Sequence, residues 1–217
     1  MKKSISVIFL ILLMLSSTVF SPVGLADDSL TGFAIKRAKL INSKWVKYRD
    51  DLSVRDLATD SQIFNRVEAL RYWSKELNYM YNIHHDRVFK DMLAFPEVET
   101  GWVNWQSKKG KDGNRTGVLD NGNSFGFLSI QWDTAKWIAK KNGWKYNETK
   151  LQNDVFLQAK FGVWYYYYQL QRKEDRITAM VAYNNPSVRT DSEKWRKYTM
   201  EMLGRVYYMD KLLNNKK

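Results

Sequence analysis

The chain has 217 residues, no cysteine, a formal charge of +12 at neutral pH and an aromatic content of 15%, including nine tryptophans. The absence of cysteine excludes catalysis by a thiol and zinc sites built from thiolates. The surplus of basic residues suits contact with a polyanion, such as a cell-wall polymer, lipid headgroups or nucleic acid, and equally suits simple solubility.

The start of the chain has the pattern of a secretory signal peptide. Lys2 and Lys3 precede an apolar run over residues 5–15, and small residues lead up to Ala26. The run is shorter than the roughly 20 residues that a membrane-spanning helix needs. We therefore expect cleavage after Ala26 and export to the periplasm, the extracellular space or the cell wall, with an uncleaved anchor as the alternative.

The rest of the chain predicts one mainly α-helical domain. Apolar residues recur at a spacing of three to four, and capping residues or glycines mark the ends of the helices. The expected helices cover 30–49, a segment capped by Asp60 or Ser61, 84–95, and 135–142, which Gly143 ends. A buried helix opened by 153–154 runs through the tyrosines 165–168. The last two helices are 175–183 and a final helix capped by Thr190 and Glu193.

One segment, 106–123, breaks the helical pattern. It is rich in Gly, Asn and Asp, and such turn-forming sequence predicts a long loop or a small β-hairpin. We divide the chain into a signal peptide (1–26), an N-terminal helical part (27–90) that packs on the main domain, and the main domain itself (91–217).

A carboxyl group in partly apolar surroundings is the first candidate for chemistry. Glu99 stands between Val98 and Trp102. Burial disfavours the charged form of a carboxyl, so such a group can stay protonated near neutral pH and can protonate the leaving oxygen of a glycosidic bond. Taken alone, a glutamate at a helix end is usually solvated surface. Glu97 competes with it, but on a helix it points to a different side.

Three motifs resemble those of lytic transglycosylases and goose-type lysozymes. Glu99-Thr100-Gly101-Trp102 resembles their Glu-Ser-x-Phe signature. Residues 124–135 are similar, without gaps, to their Gly-Leu-Met-Gln-Ile-x-Pro-x-Thr-Ala segment, and residues 182–184 to their Ala-Tyr-Asn-Ala-Gly motif. The motifs occur in the family's order and span about half of the chain that follows the signal peptide.

The resemblance implies a lysozyme-like, mainly α fold and a lyase-type cleavage of peptidoglycan. In this family a single glutamate, here Glu99, protonates the β-1,4 bond between N-acetylmuramic acid and N-acetylglucosamine and then acts as a base. The 6-hydroxyl of the muramic residue closes a 1,6-anhydro ring. Such a reaction implies no cofactor and no metal. The expected partner is the glycan strand, with peripheral contact to an anionic envelope surface and no nucleic acid.

The resemblance also implies a set of substrate-binding residues. Tyr183 is expected to place its hydroxyl near Glu99, and Asn184 to lie in the cleft. The remaining members are Ser124, Phe125, Gly126, Ser129, Gln131 and Trp102. Of the aromatic residues Trp102, Trp105, Phe125 and Trp132, we expect about half to line a sugar-binding groove.

Three positions depart from the family's pattern. Ser129 stands where the family has a glutamine that contacts the sugar. Pro96 lies inside the expected helix, where it would either bend the helix and shift the carboxyl or end the helix one turn earlier. The segment 185–187 replaces the usual turn that contains glycine.

Asp120 separates two reaction types. The segment that it opens, 120–126, is similar to the goose-type Asp-x-Gly-Asn-x-Phe-Gly, in which an aspartate helps to position a hydrolytic water. The simpler interpretation is that Asp120 only shapes a turn. A goose-type hydrolase that uses Glu99 and Asp120 therefore stays open.

A non-catalytic glycan-binding module also stays open, because of the departures at Ser129 and Pro96. A cationic membrane- or nucleic-acid-binding protein, suggested only by the charge, is ranked last. We expect the run His84-His85-Asp86 to be an exposed helix start and not a metal site.

Overall fold

The computed structural model describes residues 29–48, 58–173, 175–184 and 192–214. The predicted signal peptide, the 185–187 turn and the Thr190 cap lie outside these ranges. Within them the chain forms eight α-helices and two short β-hairpins, which confirms the mainly α fold class. None of the described helices combines the length and the apolar character needed to cross a lipid bilayer.

The helices follow the predicted order with boundaries shifted by a few residues, except that the short helix Glu148–Asn153 was not predicted. They are α1 (Ser29–Tyr48), α2 (Asp60–Glu76), α3 (His85–Glu99), α4 (Trp132–Asn142), α5 (Glu148–Asn153), α6 (Val155–Lys173), α7 (Arg176–Asn184) and α8 (Glu193–Asn214). The strands are β1 (Ser107–Lys109), β2 (Arg115–Gly117), β3 (Ser124–Phe125) and β4 (Ile130–Gln131), and short 3₁₀ turns cover Asn78–Met80 and Asp120–Gly122.

Helix α6 is the centre of the fold. It packs against α2, α3, α4, α5 and α7. Its sequence is apolar on several sides, as expected for a helix with neighbours all round. Phe161, Trp164, Tyr166 and Tyr167 are almost fully buried. Two of the four tyrosines of the run 165–168 therefore serve packing, as predicted, and the other two are half-buried.

The helix ends show where the predictions were right and wrong. Gly143 ends α4 with a left-handed φ of 64°, as predicted. Helix α2 is capped by Thr59 and not by Asp60 or Ser61: the Thr59 side chain accepts from the backbone of Gln62, whose side chain accepts from the backbone of Thr59 in return. The reciprocal bonds between Thr59 and Gln62 satisfy two backbone N–H donors, whereas a cap with one side-chain bond satisfies only one.

The N-terminal helices hold the segment that follows Glu99. Helix α1 packs against α2 and α3. From α1, Asn42 donates a 2.7 Å hydrogen bond to the carbonyl of Gly101, and from α2 the guanidinium of Arg66 donates to the carbonyl of Trp102. Asn42 and Arg66 are both buried. The exit of helix α3 is therefore fixed by the N-terminal part of the chain.

The first hairpin lies in the segment 106–123, for which the sequence predicted turn-rich structure, and the second follows that segment and was not predicted. Strands β1 and β2 pair antiparallel within 106–123, which confirms the small hairpin there. Strand β3 pairs with β4, so that Ser124 faces Gln131. Gly122 connects the two hairpins with a φ of 86°, and a Cβ at this position would lie 2.5 Å from the backbone of Thr116. Only glycine allows this approach.

Candidate functional site

A cleft of about 460 Å³ opens where the end of α3 meets the β3–β4 hairpin and helices α4, α6, α7 and α8. Its size lies within the range of small-molecule sites. The cleft is lined by Glu99, Asp120, Ser124, Leu128, Ser129, Ile130, Gln131, Thr134, Ile138, Phe161, Gly162, Tyr165, Tyr183, Asn184 and Lys194. Seven of the residues predicted for the site are among them.

Glu99 is the last residue of helix α3, and Pro96 does not prevent this. The helix continues through Pro96, whose carbonyl accepts from the backbone of Thr100 at 3.3 Å and from that of Trp102 at 3.1 Å. Gly101 and Trp102 then turn the chain with φ values of 59° and 69°. The Thr100 hydroxyl also donates to the carbonyl of Phe127 at 2.7 Å, which ties the helix end to the β3–β4 hairpin.

Two donors hold one oxygen of the Glu99 carboxyl group. The amide of Asn184 donates to Oε1 at 2.7 Å, and the hydroxyl of Tyr198 donates to the same atom at 2.6 Å. Burial raises the pKa of Glu99, and Glu201 adds to the rise, whereas the two hydrogen bonds and Lys194 lower it; burial prevails. Glu99 therefore keeps its proton to a higher pH than an exposed glutamate does.

The resemblance implied that the hydroxyl of Tyr183 lies near Glu99, but the tyrosine that donates a hydrogen bond to Glu99 is Tyr198. Tyr183 lines the cleft, but its hydroxyl donates to the carbonyl of Leu128 at 3.5 Å. The bond to Glu99 comes from Tyr198. Burial and the charge of Glu99 raise the pKa of both tyrosines far above the usual value, so both stay protonated donors.

Tyr198 is the functional side chain that sequence reasoning missed. In the sequence it occupies an apolar position of the final helix, between Trp195 and Met202, and such a position predicts core packing. The charged residue Lys194, on the same helix, also lines the cleft. Nothing in the sequence spacing links α8 to Glu99, because the link is made only by tertiary packing of α8 on α3 and α7.

The β3–β4 hairpin places three predicted polar residues in the cleft. Ser124 and Gln131 are cross-strand partners and both line it. Ser129 lies in the loop between the strands with a left-handed φ of 51°. A non-glycine residue in this conformation carries local strain, and such strain is often found at functional sites. Ser129 thus lies at the cleft, where the family has a glutamine.

Three residues predicted to bind substrate do not line the cleft, and these assignments are corrected. Phe125 is fully buried and stacks on Trp132 with ring centroids 3.8 Å apart. Gly126 is buried beside Gln158, with its N–H donating to the carbonyl of Trp105 at 2.8 Å. Trp102 is 1% exposed and packs on Phe127.

The expectation that half of the four aromatic residues line the sugar groove is also wrong. Trp102, Trp105, Phe125 and Trp132 are all less than a tenth exposed, and none lines this cleft. Three of them are part of the main hydrophobic core, and Trp105 belongs to a small separate apolar cluster. Among the described residues, the aromatic side chains of the cleft are Phe161, Tyr165 and Tyr183.

Asp120 lies at the cleft and in a turn at the same time. It is exposed, has a φ of 49° and begins the short 3₁₀ turn, with its carbonyl accepting from the N–H of Asn123 at 2.9 Å. The same residue is part of the cleft lining together with Glu99. Both interpretations of Asp120 are therefore compatible with its place in the fold.

Glu97 has a different environment from Glu99. Its carboxylate is buried and ion-paired with Arg37 at 3.1 Å, with Arg205 at 3.6 Å. Burial raises the pKa of Glu97 and the two arginines oppose that rise. Glu97 does not line the cleft. An arginine-paired carboxylate is a structural group, which favours Glu99 as the acid.

One group of side chains in the described ranges has the composition of a metal site. The ligand atoms of His84, His85 and Asp86 lie within 4.8 Å of one another. The group stands at the start of α3, where the positive end of the helix dipole disfavours a cation. Glu99 is the last of the 15 residues of that helix, about 20 Å away along its axis, so this group takes no part in the cleft.

Comparison of the chain with family models, curated proteins and solved structures finds no match in any of the three. Its function has therefore to be inferred from the residues of the cleft.

Proposed function

We propose that this protein is an exported peptidoglycan lytic transglycosylase. The observation that carries the proposal is the state of Glu99: it lines a cleft, its pKa is raised by burial, and Asn184 and Tyr198 fix one of its oxygens. A general acid for glycosidic cleavage needs this combination of a retained proton and a fixed orientation.

The carboxyl group has a separate oxygen for each task. Oε1 accepts both hydrogen bonds, so the transferable proton belongs on Oε2. In the first step this proton passes to the oxygen that links muramic acid to the next sugar, and the glycosidic bond breaks. The Glu99 carboxylate that results is stabilised by the two donors, since hydrogen bonds to the charged form favour it.

In the second step Glu99 acts as a base. It takes the proton of the muramic 6-hydroxyl while that oxygen attacks the anomeric carbon, so a 1,6-anhydro ring forms and no water is consumed. The carboxyl group is protonated again at the end. One titratable side chain is enough for this sequence, and Glu99 is the carboxyl in the cleft that is both partly buried and held by two donors.

The other cleft residues have the chemistry needed to bind an aminosugar polymer. Ser124, Ser129 and Gln131 offer hydroxyl and amide groups for the sugar hydroxyls and N-acetyl groups, and Tyr165 offers aromatic surface. The basic surplus of the chain favours association with an anionic wall polymer. The lysozyme-like arrangement implied by the three motifs belongs to the same proposal.

A goose-type hydrolase is the second candidate, because Asp120 lines the same cleft as Glu99. An inverting hydrolase uses a second carboxylate about 6.5–9.5 Å from the acid to activate a water. The two candidates share the acid and differ in the product: hydrolysis leaves a reducing muramic end, whereas the transglycosylase leaves a 1,6-anhydro end.

Mass spectrometry of the muropeptides released from purified sacculi tests the proposal. We expect products lighter by one water than hydrolytic ones, and no release by the variant Glu99→Gln. The control is Glu76→Gln, a change of the same kind at an exposed helix end. Reducing ends would favour the hydrolase. Binding of sacculi without any release would reject both enzymes and leave a glycan-binding module.

A further inference from the structure

A second groove of about 440 Å³ adjoins the cleft between helices α4 and α6. Thr134 and Tyr165 line both concavities, so the two share a wall. The groove continues over Trp137, Tyr168 and Arg172. The groove is therefore the concavity next to the cleft on the side of Thr134 and Tyr165.

The groove differs from the cleft in its exposed aromatic surface. Trp137 is 38% exposed, with its ring centroid 5.0 Å from that of Tyr168 and 6.3 Å from that of Tyr165. The planes of these pairs meet at 63° and 80°, so the rings form a corner. Tyr168 is held from behind by a stacked contact with the buried Trp164, at 5.5 Å. The corner is therefore a fixed aromatic surface.

Polar and charged groups surround this corner. Gln169, which is 1% exposed, also lines the groove, and its Oε1 has no hydrogen-bond partner among the described residues. A buried acceptor without a donor is uncommon and unfavourable. Two cations lie beside the rings: Lys141 at 5.4 Å from the centroid of Tyr168, and Arg172 at the same distance. The carboxyl group of Asp133 also lines the groove. The groove therefore combines aromatic faces, an acceptor and charges of both signs.

We propose that this groove is an additional subsite for the glycan strand, in which a sugar residue beyond the cleavage site stacks on Trp137. A sugar ring presents one apolar face to an aromatic ring and keeps its hydroxyl and amide groups for polar partners. Peptidoglycan strands also carry carboxylates, to which Lys141 and Arg172 are complementary. The inference rests on the proposed function, because it needs a glycan in the cleft beside Glu99.

The test compares binding of short and long glycans. Tetrasaccharides and octasaccharides of alternating N-acetylglucosamine and muramic acid are titrated by calorimetry into the Glu99→Gln protein, which does not cut them. We expect the octasaccharide to bind more tightly. Trp137→Ala should weaken binding of the octasaccharide about three- to tenfold, which is the size of one aromatic contact. The affinity for the tetrasaccharide should stay nearly unchanged. Trp137→Phe, which keeps a ring, should restore most of the loss.

The matched control is Tyr79→Ala, which removes an aromatic residue 83% exposed to solvent and outside the groove. It should change neither affinity. Unchanged octasaccharide binding in Trp137→Ala would overturn the subsite, and so would equal weakening of both glycans with no rescue by Trp137→Phe. Weaker binding of an isolated stem peptide in Trp137→Ala, with glycan binding unchanged, would assign the groove to peptide instead.

A different result would reject the proposed transglycosylase activity than would reject the additional subsite. If the native protein releases no muropeptide from sacculi, the enzyme assignment is rejected whatever Trp137 does. If it releases them and the length dependence survives in Trp137→Ala, only the additional subsite is rejected.

Discussion

Tyr198 donates a 2.6 Å hydrogen bond to Oε1 of Glu99, although 99 residues separate the two in the sequence. The bond joins the last residue of α3 to α8, the final helix. Asn184 from α7 donates to the same oxygen at 2.7 Å. Three helices thus converge on one carboxyl group. Two contributions to its pKa oppose each other there: burial disfavours the carboxylate, and the two donors favour it.

Loss of the Tyr198 hydroxyl is expected to shift the pH dependence of cleavage. The bond stabilises the charged form, so Tyr198→Phe should raise the pKa of Glu99 further. The acid step needs the protonated form, and the alkaline limb of the activity profile should therefore move to higher pH, by about one unit. The maximal rate should fall about ten- to a hundredfold, because the carboxyl is then held by Asn184 alone.

The measurement is the rate of muropeptide release between pH 4 and pH 9. Tyr207→Phe is the control, since it makes the same change at an exposed position of the same helix and should leave the profile in place. A lower rate with an unmoved alkaline limb would show that Tyr198 contributes packing alone.

The raised pKa of Glu99 also predicts a stability effect with a definite sign. In the folded state the proton is bound more tightly than in the unfolded state, so ionisation destabilises the fold. The native protein should lose stability as the pH rises from the ordinary pKa of a glutamate to the raised pKa of Glu99 in the folded state. Glu99→Gln cannot ionise, and its amide oxygen can still accept from Tyr198 and Asn184.

We therefore expect Glu99→Gln to be more stable than the native protein at neutral pH and equal to it below about pH 4, where both states are protonated. Urea unfolding at a series of pH values measures this difference. Asp91 and Glu97 also have raised pKa values, but they are common to both proteins and cancel. If Glu99→Gln were less stable than the native protein at every pH, the prediction that ionisation of Glu99 destabilises the fold would be wrong.

Asp120→Asn separates the two reaction types. For a transglycosylase this exposed turn residue has no chemical role, and its replacement should change the rate by no more than about twofold, as is usual for surface positions. The released products should keep their 1,6-anhydro ends. For a hydrolase the same change removes the group that activates water. A loss of about a hundredfold or more in the rate would move the assignment to the goose-type reaction.

Local signals in the sequence were sufficient for much of this structure. The spacing of apolar residues predicted the helices, and Gly143 predicted the end of α4. The turn residues of 106–123 predicted the β1–β2 hairpin. The motif residues Glu99 and Asn184 meet at 2.7 Å. These features depend on neighbours close in sequence or on a motif whose parts were recognisable.

The rest depended on contacts that no local pattern contains. Tyr198 occupies an ordinary apolar position of a helix, and only the packing of α8 brings its hydroxyl to Glu99. Trp102 and Phe125 were wrongly predicted to bind substrate. They are buried, because an aromatic side chain next to a site can equally be part of the core beneath it. The exposed Trp137 carried no motif. Burial decides these cases, and it is a property of the folded chain.

Gly162 gives a final test, of the shape of the cleft. It lies inside α6, where glycine is less stable than alanine by about 0.5–1 kcal/mol, so its presence there needs a reason. A Cβ at Gly162 would lie 2.5 Å from a methyl group of Leu128 and 2.9 Å from the hydroxyl of Tyr183, both at the cleft. Gly162→Ala should destabilise the protein by about 1–3 kcal/mol through overpacking and should reduce cleavage by displacing these two side chains.

Gly204→Ala, in α8, is the control. A Cβ at Gly204 meets no atom within 4 Å, so this change should instead stabilise the protein by about 0.4–1 kcal/mol at unchanged activity. Urea unfolding measures the stability of both variants, and muropeptide release measures their activity. If the two variants had the same stability and the same activity, the close approach at Gly162 would not shape the cleft.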